Sequence, residues 1–114
     1  DEVIVPVWDL ISKLWAFHKP ATMIFLTGRD ERGRGQTVTW LKDKLGLAPE
    51  DYQLLMRPDG NNIPDYVFKE EAFNTHIDGK YHVIGWFEDR FRNVMMARTK
   101  LGLIPVFQVG DGGF

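Results

Sequence analysis

The strongest constraint on this chain is an alternation in its apolar pattern. Residues 6–17, PVWDLISKLWAF, bring Val7, Leu10, Ile11, Leu14 and Trp15 onto one helical face, with Pro6 suited to the first turn. Residues 22–27, TMIFLT, form a short apolar run that predicts a wholly buried strand. A helix is predicted over 36–46, with Val38, Leu41 and Leu45 on one face and Gly46 as its stop. A strand follows at 52–57, then a turn-rich loop at 57–65. A helix at 65–77 repeats Phe68, Ala72 and Phe73, and a strand is predicted at 81–87. The last helix covers 90–102 and the last strand 104–109. Helix and strand taken in turn predict an α/β fold, a Rossmann-like parallel sheet with helices on both faces.

Composition narrows the classes. With 114 residues, 44% of them hydrophobic, the chain has material for one core, and the expectation is a single domain over 1–114. A net charge of −2 lacks the basic face of a protein that grips long duplex nucleic acid, but it allows a pocket that reads one phosphate. There is no cysteine, hence no disulfide or thiolate metal site, which suits a reducing cytoplasm. No stretch is long and apolar enough to span a bilayer, and no signal peptide is visible. His18, His76 and His82 have no metal-ligand spacing.

In parallel sheets of this class, ligands sit at the carboxyl ends of the strands. Thr27, Gly28 and Arg29 follow the first predicted strand, Arg57 and Asp59 the second, Glu88, Asp89 and Arg90 the third, and Gly110 and Asp111 the fourth. Lys69 lies four residues past Asp65, on the same helical face. One parallel sheet would gather all of them at one edge. Each has a chemistry there. Thr27, with the amide after it, can donate to a phosphate oxygen, and Lys69 can neutralise phosphoryl charge. Glu88 or Asp89 supplies the hard oxygen that magnesium prefers. The arginines offer planar forks to phosphate. Taken singly, each has an ordinary alternative: Thr27-Gly28 as a strand-ending turn, Lys69 as a solvated lysine pairing with nearby Glu, Glu88-Asp89-Arg90 as a helix start. Arg32 to Gly35 reads as a mobile loop over the cleft.

In this order, TGR, Asp65-x-x-x-Lys69, EDR and VFQVGDGGF resemble the phosphatase domain of phage-type polynucleotide kinase-phosphatases, in the haloacid dehalogenase superfamily. The resemblance runs from about Val3 to Phe114. It implies that Thr27 holds phosphoryl oxygens, that Lys69 is the superfamily lysine with Asp65 as its neighbouring acid, and that Glu88 and Asp89 anchor Mg2+. It also implies that Gly28, Arg29 and, less directly, Arg57 bind substrate phosphate. The superfamily nucleophile and general acid come from an Asp-x-Asp-Gly-Thr motif after the central strand. No Asp-x-Asp occurs in this sequence, which opens with Asp1 rather than Met. The expectation is therefore a domain incomplete at its N-terminus, without the first catalytic strand and inactive as it stands. The slot would close by direct pairing of the flanking strands, or be filled by another segment or chain.

Three functions stay open from the residues. The first is a phosphatase acting on 3′-phosphate ends of a nucleic acid or nucleotide in a phage or bacterial host cytoplasm, with a fused or associated kinase or ligase domain. The second is a non-catalytic remnant that binds phosphate ends. The third is an oligomerising domain, such as a homodimer, that pairs its exposed strand edges with a partner.

Overall fold

The computed structural model describes residues 3–110. The fold is α/β with every ladder parallel, and the chain divides into two compact units, Asp1–Gly60 and Asn61–Phe114.

The first unit opens with helix α1, Val5–Phe17. None of its residues is fully buried, and Leu10 is exposed instead of packing with the other apolar side chains of its predicted face. The helix end is tied down by Trp15, whose Nε1 donates to the Ala21 carbonyl at 2.9 Å while the Lys19 ammonium lies over its ring. Strand β1, Met23–Asp30, pairs in parallel with β2, Tyr52–Arg57, with Phe25 opposite Leu54 and Thr27 opposite Met56. Parallel neighbours need a crossover, and helix α2, Arg34–Leu45, supplies it. Gly46 ends α2 at φ 69°, a left-handed conformation that favours glycine. Met23, Leu41, Leu47, Leu54 and Met56 are this unit's buried apolar residues. The strand predicted as wholly buried keeps only Met23 fully inside; Ile24, Phe25 and Leu26 are partly exposed.

The second unit runs helix α3, Asp65–His76, strand β3, Trp86–Glu88, helix α4, Phe91–Lys100, and strand β4, Val106–Gln108. β3 and β4 pair in parallel, Phe87 opposite Phe107. Phe68, Ala72, Phe73 and Ile77 pack with Val94, Met96, Ala97 and Leu101 as its core. Full burial of a side chain such as Phe73 contributes roughly 1.5–3 kcal/mol. Trp86 adds a tilted ring contact to Phe73, 5.9 Å between centroids.

Both strands of this unit are shorter than the apolar runs at 81–87 and 104–109 predict. The amides of Lys80 and Tyr81 bond back to the Ile77 carbonyl, so that segment turns instead of extending. A Cβ at Gly85 would lie 2.9 Å from the Phe87 ring, which crosses the backbone at that point. Two bonds flank the short ladder, Trp86 N–H to the Pro105 carbonyl and Val109 N–H to that of Glu88.

The expected single sheet is present as two parallel pairs, β1–β2 and β3–β4. No ladder joins them among the described residues, so direct pairing of the strands flanking the slot is not seen. No helix among the described residues is long and apolar enough to cross a membrane.

Candidate functional site

The predicted site residues fall into two groups, one in each unit. In the first unit, Thr27-Gly28-Arg29 is not a strand-ending turn. The ladder register shifts between Thr27 and Asp30, so that Thr27 faces Met56 and Asp30 faces Arg57, leaving Gly28 and Arg29 as a bulge inside β1. Two contacts fix it. The Arg29 amide donates to the Thr27 hydroxyl oxygen at 3.2 Å, and Arg57 Nε donates to the Gly28 carbonyl at 2.9 Å. A hydroxyl that accepts keeps its own proton to donate, the polarity a phosphoryl oxygen requires. Arg57 thus braces the bulge from β2, and Arg29 is exposed beyond it.

The segment after the bulge is not a loose loop. Glu31–Gly33 form a 3₁₀ turn, and Arg34 begins α2. Asp30 accepts from the Arg32 amide at 2.8 Å, and Arg32 Nε lies 3.1 Å from both Asp30 and Asp59. Arg34 pairs with Glu31 and also donates to the Leu54 carbonyl at 3.0 Å. The Arg32 amide and then its guanidinium hold the Asp30 carboxyl below its ordinary 3.8. Arg34 does the same to Glu31.

In the second unit a buried charge cluster joins α3 to the end of β3. Lys69 Nζ donates to Glu88 Oε1 at 2.7 Å, and both residues are under a tenth exposed. Glu88 Oε2 accepts from the amides of Asp89 and Arg90 at 3.0 and 3.3 Å. Asp65 Oδ2 lies 3.6 Å from Lys69 Nζ and 3.9 Å from Arg90 Nη1. The ordinary reading of Lys69, a solvated lysine paired along its helix, is therefore wrong. It sits on the stripe of α3 that also buries Phe68, Ala72 and Phe73. Burying an ammonium is costly unless it is paired and hydrogen-bonded, and Glu88 meets that need.

Glu88 and Asp89 are not equivalent. Glu88 is the last residue of β3 and buried, with both oxygens engaged; Asp89 is exposed. Asp89 is thus the accessible carboxylate of the two and the one that could hold a hard cation, which takes few protein oxygens, with Glu88 engaged behind it. Among the described residues no group of three or more His, Cys, Asp or Glu comes together as a metal site.

Asn93 is the residue the sequence reading missed. It is 1% exposed, and its Nδ2 donates to Asp65 Oδ2 at 2.8 Å. The signal was present: Asn93 stands three and four residues before Met96 and Ala97, on the buried face of α4. Asp111 lies outside the described residues.

The profile of the polynucleotide kinase PNKP phosphatase domain matches residues 1–114. A protein of Autographa californica nuclear polyhedrosis virus, provisionally named a bifunctional polynucleotide kinase/RNA ligase, is 36% identical over 90 residues, which is 79% of this chain and 12% of that protein. A chain in the structure of the Pnkp1/Rnl/Hen1 RNA repair complex covers this whole sequence with a TM-score of 0.85 and 32% identity, over 35% of its own length. A second structure of that complex gives the same TM-score at 33% identity, over 38% of the matched chain.

Proposed function

The chain belongs to the polynucleotide kinase PNKP phosphatase domain family, and on that premise we propose that it is the body of a Mg2+-dependent phosphatase acting on the 3′-phosphate end of a nucleic acid or nucleotide. The observation that carries this reading is the buried Lys69–Glu88 pair at the end of β3, with exposed Asp89 beside it. A lysine desolvated on a helix's core face and aimed by one carboxylate is arranged for electrostatic work. Stability alone does not explain it, since a hydrophobic pair of similar volume often serves as well or better.

In this reading Thr27 and the amides of the bulge donate to non-bridging phosphoryl oxygens, and Arg29 contacts the substrate phosphate. Gly28, without a side chain, lets the backbone approach. Lys69, aimed by Glu88 and with Asp65 as its neighbouring acid, neutralises phosphoryl charge. Asp89, backed by Glu88, would hold Mg2+, which when bound stabilises negative charge on the phosphate oxygens. The carboxylate nucleophile and the general acid are not among residues 1–114, because the sequence contains no Asp-x-Asp. In this reading they are supplied by a segment outside these residues. The relatives' names suggest that a kinase or ligase domain is fused or associated and that the setting is RNA repair.

The test is phosphate release from a 3′-phosphorylated oligonucleotide in Mg2+, by residues 1–114 and by a form extended upstream through an Asp-x-Asp-Gly-Thr motif. Release by the extended form only is expected. No release by the extended form would sink the enzymatic reading. Retention of tight phosphate-end binding in that event would establish the second reading, which the missing Asp-x-Asp favours: a binding remnant without catalysis.

A further inference from the structure

Asn93 is more deeply buried than Lys69 or Glu88. Its side-chain amide donates across from α4 to the first turn of α3, 28 residues away in sequence. The accepting atom is Asp65 Oδ2, the same oxygen that faces Lys69 Nζ at 3.6 Å and Arg90 Nη1 at 3.9 Å. At 3.6 Å the lysine is beyond normal hydrogen-bond range of Asp65, while its bond to Glu88 is short. Two carboxylates therefore flank one ammonium, Glu88 at hydrogen-bond distance and Asp65 at ion-pair distance. Full engagement by both would leave Lys69 with little charge to offer a ligand. The contact that competes for Asp65 is the Asn93 amide, a neutral donor that ties the oxygen without adding charge.

We propose that Asn93 is a positioning residue that holds Asp65 back from Lys69, so that the ammonium keeps an N–H to donate to a phosphoryl oxygen. Lysine has three N–H donors. Glu88 takes one and fixes the aim, and Asn93 prevents Asp65 from taking a second. The inference rests on the phosphatase reading for the purpose of Lys69 but not for the geometry.

Asn93→Leu removes the donor at nearly constant volume. In the native protein it lowers kcat on a 3′-phosphorylated oligonucleotide by about 10- to 100-fold, the range seen when a supporting hydrogen bond to a working group is lost. In an Asp65→Ala background the same change has little further effect, because no carboxylate remains to be restrained. A purely structural Asn93 would give additive losses that follow the fraction of folded protein, and that result overturns the proposal. A second readout needs no activity: the ¹⁵Nζ resonance of Lys69 and the exchange of its protons, with exchange slowed in Asn93→Leu as Asp65 closes in. An unchanged Lys69 signal in a folded variant also overturns the proposal. Failure of the native protein to release phosphate would defeat the phosphatase reading alone, since the Lys69 signal still decides the role of Asn93.

Discussion

Lys69 and Glu88 set the terms at the scale of single residues. Each is buried and each needs the other. Glu88→Gln takes the nearer carboxylate away from the buried Lys69 ammonium and is expected to cost about 3–5 kcal/mol in urea unfolding. The joint replacement Lys69→Met with Glu88→Leu is expected to recover most of that stability and none of the phosphate affinity, because well-packed apolar pairs replace buried ion pairs at little cost. Asp89→Asn, at an exposed position, is expected to change stability by no more than about 0.5 kcal/mol while removing the response to Mg2+ in the phosphatase assay. Equal stability loss from the Glu88 and Asp89 changes would contradict the division of labour between them. The Lys69 position was legible in the sequence, because a lysine one residue after Phe68 and three before Ala72 lies on the stripe that periodicity assigns to the core. Its partner was legible only as one of two adjacent acids, since which of them turns inward depends on where β3 ends. Asn93 carried a comparable signal on α4, but a single polar residue on an apolar stripe has no partner that sequence spacing can name.

The bulge in β1 is the element that turns a strand into a candidate phosphate cradle. Sequence reading located TGR and its chemistry but ended the strand at Thr27. The ladder instead continues to Asp30, because Arg57 and Asp30 re-form the register after two unpaired residues. Such a register shift is a property of two strands and cannot be read from one. Thr27→Val keeps the β-branched shape and deletes the hydroxyl. It is expected to cost little stability and about 10²–10³ in kcat, the usual effect of losing one donor to a developing oxyanion. The charged turn after the bulge is held by Asp30, whose carboxyl the Arg32 amide and guanidinium keep below 3.8. A lowered folded value means that this stabilisation is complete above the unfolded value and fades only as pH falls through the folded one. The Asp30 carboxyl, followed by NMR, is therefore expected to titrate with a midpoint below the ordinary 3.8. A midpoint above that value would show that the Arg32 contacts do not hold in solution.

At the scale of the molecule, alternation of helix and strand was enough to predict an α/β fold with parallel strands, and the two ladders and four α-helices among the described residues bear it out. Gathering every strand-end residue at one edge was a stronger expectation. What is found is a Thr27 group in one unit and a Lys69 group in the other. The chain spans 12% of its viral relative and 35% of its structural neighbour, so the kinase and ligase functions in their names bear on this protein only through the proposal above. The central claim is that these residues read a terminal phosphate. The most direct test is the affinity of the protein for one oligonucleotide with a 3′-phosphate against the same oligonucleotide with a 3′-hydroxyl, repeated with Lys69→Met. Tighter binding of the phosphorylated end is expected, with loss of that preference in the variant. Equal affinity for the two ends in the unaltered protein would contradict it.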